Sequence, residues 1–137
     1  MSDTRSVVEE LYRRIGEGEG DCGGDRGALG ELFAEKLEWD IYGAETVPWA
    51  GPRGTREEVV EFFRSLPDHL RAEEFAVERI LVDGEHAVAL GHMRHIVLAT
   101  GKVFDSPFAF HIKVEGGLIT RYITFEDSLA LARAFES

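Results

Sequence analysis

The chain has 137 residues, and its 26 Asp and Glu against 15 Lys and Arg give a formal charge of −11 that no basic cluster interrupts. Such a surface repels phosphate backbones and anionic lipid, so neither nucleic acid nor a membrane is expected as a partner. The length suits a single domain, residues 1–137, around one core, and no apolar run approaches the roughly 18 residues of a membrane span. Cys22 is alone and no basic-then-apolar leader opens the chain, so a cytoplasmic protein without disulfides is expected.

Val8, Leu11, Tyr12 and Ile15 recur at helical spacing and predict a first helix from about Asp3 to Gly16. The glycine-rich stretch 16–27 reads as a flexible loop. Its acids lack the spacing and the closing glutamate of a calcium loop. Asp25 is placed to cap a short second helix that turns Leu29, Leu32 and Phe33 inward. Leu37, Trp39 and Ile41 then alternate with polar residues, the pattern of a half-buried strand, and 43–54 follows as a loop. Thr55 and Glu58 form a capping box for a third helix with Val59, Phe62, Phe63 and Leu66 on one face, which Pro67 ends.

From Glu73 to Asp127 the chain reads as four long strands with turns at Asp83-Gly84, Thr100-Gly101 and Gly116-Gly117, followed by a terminal helix capped by Asp127 or Ser128. That helix turns Leu131, Ala132 and Phe135 inward. The result is an α+β domain in which three N-terminal helices and a short C-terminal helix cover one face of a curved, mostly antiparallel sheet. Period-two alternation divides the strand 86–98 into two sets, Val88, Leu90, His92 and Arg94 against Ala89, Met93, His95 and Val97. We assign the first set to the interior and the second to a homodimer interface, where His111 is also expected. A tight turn at Gly116-Gly117 pairs Phe110 with Ile123, whereas a β-bulge in the last hairpin would bring Phe110 and Thr124 to one face.

The order of these elements, the step Leu32-Phe33-Ala34 into Trp39, the segment Pro48-Trp49-Ala50-Gly51-Pro52-Arg53-Gly54 before the capped helix, and the ending from Gly117 through Tyr122 to Asp127 resemble a SnoaL-like domain. This family is a branch of the nuclear transport factor 2-like superfamily, which also holds ketosteroid isomerase and polyketide cyclases. The resemblance implies a cone around a cavity for a small, largely apolar molecule, usually in a homodimer. It implies little about the reaction, because chemistry resides in the site rather than the fold. The isomerase base falls here at Ile41 and its oxyanion acid at Phe110, and the helix-one tyrosine matches Tyr12 only with a shifted register. The cyclase aspartate falls at Thr124 and its histidine at Phe110. None of Ile41, Phe110 and Thr124 can serve as a general base.

Three functional readings remain open: a small-molecule binder without a recognisable catalytic set; a cyclase, isomerase or hydratase-like enzyme using His92 with Glu126 or Asp127; and a protein-interaction scaffold. The candidate ligand contacts are Trp39, Ile41, Phe63, His92, Arg94, Phe108, Phe110, Tyr122 and Thr124, aromatic walls with a polar end. Asp127 also suits a helix cap, and His92 with Arg94 also suits a structural ion pair. His92 and His95 stand three apart on a strand and point to opposite faces, so no metal site is expected, and no cofactor motif is present.

Overall fold

The computed structural model describes residues 4–19, 26–44 and 46–136. Helix α1, Thr4–Glu19, runs past the expected stop at Gly16 and buries Val8, Leu11 and Ile15 along one face, with Tyr12 half-buried beside them. Half of the expected glycine-rich loop, residues 20–25 with the proposed cap Asp25, lies outside the described residues. The expected second helix is a 3-10 segment, Arg26–Leu32, and Phe33 opens strand β1, Phe33–Ile41. Gly27 and Gly30 disfavour a regular helix there, and Gly30 lets the segment lie against the next helix, because an added Cβ would stand 2.7 Å from Val60 Cγ2.

Part of the segment expected as a loop is a strand, β2, Gly51–Thr55, which pairs antiparallel with β1. It lies at the sheet edge, where Pro52 can be accommodated despite its missing N–H. Thr55 and Glu58 form the capping box of α2, Arg56–Ser65, which buries Val59, Phe62 and Phe63. Pro67 sits in the 3-10 turn Leu66–Asp68 that ends it. Strands β3 (Leu70–Asp83), β4 (His86–Val97), β5 (Val103–Glu115) and β6 (Leu118–Glu126) form a meander, and α3, Ser128–Ala134, closes the chain. The order across the sheet is β2-β1-β6-β5-β4-β3. Every neighbouring pair is antiparallel except β1 with β6, which is parallel.

The two faces differ in what covers them. On β4, Ala87, Ala89, Gly91, Met93, His95 and Val97 are buried, while Val88, Leu90, His92 and Arg94 are half-exposed on the outer face. The expected assignment is therefore reversed: His92 and Arg94 do not face the interior, and Met93 and Val97 are core rather than dimer surface. Alternation separates the two sets but does not say which one the helices cover. Cross-strand size decides it, because Ala89 lies opposite Phe110 and Gly91 opposite Phe108, so small residues make room for large rings. At Gly91 this is a strict requirement. A Cβ there would lie 2.0 Å from the Ala76 carbonyl oxygen and 2.6 Å from Phe108 Cζ.

A register shift between Lys113 and Val114 leaves Thr120 as an extra residue in β6. This bulge pairs Phe110 with Thr124 and Ile112 with Tyr122, so Phe108, Phe110, Tyr122, Thr124 and Glu126 share the inner face. Two further shifts in β3, between Ala72 and Glu74 and between Val77 and Arg79, add local bends to the long edge strand. The sheet wraps the helices as an α+β domain, mixed in direction and mostly antiparallel.

Candidate ligand pocket

Trp39 on β1 lies in register with Tyr122 on β6, and their rings stack at 4.9 Å with an interplanar angle of 16°. The stack continues through Phe110 at 5.1 Å, Phe108 at a further 4.5 Å and Phe75 of β3 at 5.0 Å. Phe62 and Phe63 of α2 meet Trp39 edge-on, and Tyr12 of α1 lies over Phe110. Offset stacks and edge contacts of this kind each add about 0.5–1.5 kcal/mol beyond the area they bury. Together they form the aromatic wall of an apolar pocket between the helices and the inner face of the sheet.

Polar groups reach this wall at a few points. The hydroxyls of Tyr12 and Tyr122 are 3.0 Å apart, and burial raises the pKa of both phenols, Tyr12 well above the ordinary tyrosine value, so both stay neutral at physiological pH. The indole Nε1–H of Trp39 is buried and has no hydrogen-bond partner. Glu126 lies opposite Phe108 with no partner for its carboxyl among the described residues, and burial pushes its pKa up to about 7. Its position is fixed from the next residue: Asp127 N–H donates to the fully buried Ser106 Oγ at 3.1 Å, and Asp127 Oδ1 accepts from Ala130 N–H at 2.9 Å as the cap of α3.

Of the three catalytic candidates, only Glu126 faces the pocket. Asp127 is a helix cap. His92 is on the outer face, where its Nε2–H donates to Asp105 Oδ1 at 2.5 Å, and Arg94 joins the same carboxylate at 3.1 Å and Glu73 at 3.4 Å. Desolvation works against the charged form of Asp105, but the hydrogen bonds from His92 and Arg94 more than offset it and hold its pKa down. The structural ion pair is the reading that fits His92 and Arg94. The fold does bring Trp39, Ile41, Phe63, Phe108, Phe110, Tyr122 and Thr124 together on the inner side.

Interior residues outside the sequence-derived set include Tyr12, Phe62, Phe75 and His95. Tyr12 matches the family's helix-one tyrosine only with a shifted register, yet its place on the buried stripe of α1 points it inward. Phe75 belongs to a strand whose exposed acids mask its pattern. His95 is the inward histidine of β4, buried against its cross-strand partner Phe104, with Nδ1 unpartnered and a pKa lowered to about 4 by burial. Among the described residues no group of three or more His, Cys, Asp or Glu is placed to hold a metal, and no helix is long and apolar enough to cross a membrane.

Known structures share this architecture. A nuclear transport factor 2-like protein from Burkholderia thailandensis E264 superposes with a TM-score of 0.85 at 23% identity, covering 100% of both chains. Another, from Burkholderia xenovorans LB400, gives 0.84 at 23% identity over 97% of this chain and 95% of its own. A candidate SnoaL-like polyketide cyclase from Jannaschia sp. CCS1 gives 0.73 at 18% identity over 94% and 90%. At these identities the likeness is one of fold. No curated protein matches the chain. The sequence profile of the SnoaL-like domain, however, matches residues 8–122, spanning α1 to the middle of β6 and most of the aromatic wall. The chain belongs to the SnoaL-like domain family and has the fold of the nuclear transport factor 2-like proteins.

Proposed function

We propose that the protein binds a small, largely apolar molecule against the wall formed by Trp39, Phe108, Phe110 and Tyr122. The observation that carries this reading is the combination, on one buried face, of stacked rings with polar groups that have no partner among the described residues. A wall built only for stability would pair or omit those groups, because each unpaired buried donor costs about 1–3 kcal/mol. Native mass spectrometry of gently purified protein tests it. A co-purified mass that disappears when Phe110 is replaced by Glu in a variant that still folds would support the reading; an empty protein that no apolar probe stabilises against heat would refute it.

A second reading is favoured by Glu126. A carboxyl with a pKa near 7 inside an apolar site is poised both to give and to accept a proton, which is the requirement for general acid–base catalysis. In this reading the Tyr12 and Tyr122 hydroxyls stabilise negative charge on the reacting molecule, and His92 has no part. Its signature is turnover that follows a pH profile with a midpoint near 7 and vanishes in Glu126→Gln. The outer face carries exposed Phe125 beside Tyr42, with the half-exposed Val88 and Leu90, and suits a homodimer interface. Sedimentation of Phe125→Glu tests the dimer. The acidic surface argues against a nucleic-acid partner.

A further inference from the structure

The fold places an arginine at the edge of the aromatic wall. Arg53 on β2 is the register partner of Trp39, so it lies on the inner side of the sheet edge, half-buried, with its guanidinium carbon 5.1 Å from the centre of the Phe62 ring. Its Nη1 donates to the Trp49 carbonyl at 2.7 Å; its remaining N–H groups meet no acceptor, and no carboxylate pairs with it, among the described residues. Arginines elsewhere are treated differently. On the outer face Arg94 meets Asp105 at 3.1 Å and Arg121 meets Glu38 at 2.6 Å, and on α1 Arg13 and Arg14 share Glu10. The acids whose charge reaches Arg53 are committed elsewhere. Glu58 Oε1 accepts from the N–H groups of Gly54 and Thr55 at the capping box, and Asp40, next to Trp39 on β1, points to the opposite face. Burial therefore outweighs their attraction and lowers the pKa of the Arg53 guanidinium.

Resting on the binding reading above, we propose that the pocket takes a molecule with one carboxylate on a flat apolar frame, the carboxylate pairing with the Arg53 fork at the β2 edge and the frame lying along Trp39 and Phe62. Planar guanidinium donors match the two oxygens of a carboxylate, and such a ligand gives a half-buried cation the counter-ion that the protein withholds. Trp39 adds a second donor in the same row, since its buried Nε1–H has no acceptor among the described residues. One cation sets the ligand's charge at one negative. A phosphate dianion would leave an excess charge against an apolar wall, in a protein whose own formal charge is −11. Glu126 is too far along the wall to oppose the carboxylate closely. Arg53 shares a row with Trp39 and Tyr122, and Glu126 lies four residues beyond Tyr122 on β6, about 13 Å at the rise of a strand. The wall thus has a cationic end and an acidic end, which sets the direction in which the ligand lies.

The test titrates naphthoate, its neutral isostere naphthamide and naphthyl phosphate into the whole protein at pH 7 by calorimetry. Naphthoate should bind about tenfold more tightly than naphthamide, the effect of one charge-assisted pair, and naphthyl phosphate more weakly than naphthoate. In Arg53→Gln, which can still donate to the Trp49 carbonyl, the advantage of naphthoate should vanish while naphthamide keeps its affinity. Arg53→Lys, charged but without the fork, should retain an advantage of about threefold, and it carries the test should Arg53→Gln fail to fold. Equal binding of naphthoate and naphthamide to the native protein, an advantage that survives Arg53→Gln undiminished, or tightest binding of naphthyl phosphate overturns the proposal and leaves the binding reading in place. Failure of all three probes to bind removes both.

Discussion

The two faces of the sheet use polar residues in opposite ways. On the outer face they are partnered in rows: His86 Nδ1 and His111 Nε2 are 3.0 Å apart, Arg121 donates to His111 Nδ1 at 3.3 Å and to Glu38 at 2.6 Å, and a second row joins His92, Asp105, Arg94 and Glu73. The first row also fixes tautomers. Because His111 Nδ1 accepts from Arg121, its Nε2 carries the hydrogen and donates to His86. On the inner face Trp39, His95 and Glu126 keep groups without partners among the described residues although they are better shielded from water. Polar residues on the outer face thus look after one another, whereas those on the inner face are left available, and the difference marks which face holds the site.

The strongest way to break the comparison is to place charge in the inner layer. Replacing Met93 and Val97 together with Glu should abolish cooperative folding, seen as loss of a thermal transition, since both are buried in the core of the single chain. Separation of a dimer into folded monomers would instead restore the reversed assignment of β4. Gly91→Ala should come next, at about 4 kcal/mol or more, because the new methyl meets backbone at 2.0 Å rather than a movable side chain. A fall of roughly 10 °C or more in Tm is the expected reading.

Two inner titratable groups, Glu126 and His95, sharpen the comparison through pH. Glu126 has its pKa raised from 4.5 to about 7, so the folded chain holds a proton that the unfolded chain releases between these values, and stability falls as pH rises through that window. His95 has its pKa lowered from 6.5 to about 4, so the unfolded chain binds the proton first, and stability rises with pH from about 4 to 6.5. Where the windows overlap, the two slopes oppose. Glu126→Gln should therefore stabilise by on the order of 2–3 kcal/mol at pH 8 and have little effect near pH 4. Urea unfolding across this range checks it. His95→Leu should leave a stability that declines from pH 4.5 to 7, as Glu126 alone dictates.

The smallest effect belongs to the outer face. His92→Phe breaks a solvent-facing pair with Asp105 and should cost less than about 1 kcal/mol, with no change in the binding of any pocket probe. A larger loss of probe affinity would return His92 to the site.

Local signals in the sequence carried the elements well, because caps and periodicities depend on near neighbours. The Thr55–Glu58 box and the Asp127 cap involve residues three apart, and both are as read. The inner walls of β1, β5 and β6 were also legible, since their large rings can hardly be exposed together. What the sequence did not disclose is long-range. Val88 and Leu90 are more apolar than Ala87, Ala89 and Gly91, so hydrophobicity favoured the wrong face of β4. The available signal was size matching, a run of small residues on β4 against Phe108 and Phe110 on β5. The bulge at Thr120 and the Ala76 carbonyl above Gly91 come from register between strands, which no local pattern encodes. His95 followed the misread face, so the strand pattern pointed to His92, three residues before the histidine that does face inward.

The parallel contact of β1 with β6 has a consequence for how the protein is made. β1 lies between β2 and β6, and its outer-face bridge from Glu38 to Arg121 spans 83 positions of sequence. As a chain leaves the ribosome, α1, β1 and α2 emerge first, but β1 cannot gain its second neighbour until residues 118–126 are free. During that interval Phe33, Trp39 and Ile41 have no sheet to lie on, and the edge that β6 will occupy can pair with other chains. Closure across so long a loop is intrinsically slow. Folding yield in the cell should accordingly depend on chaperones that hold the N-terminal third, and nascent chains stalled before residue 118 should remain sensitive to protease along β1 while those stalled well beyond α3 become resistant.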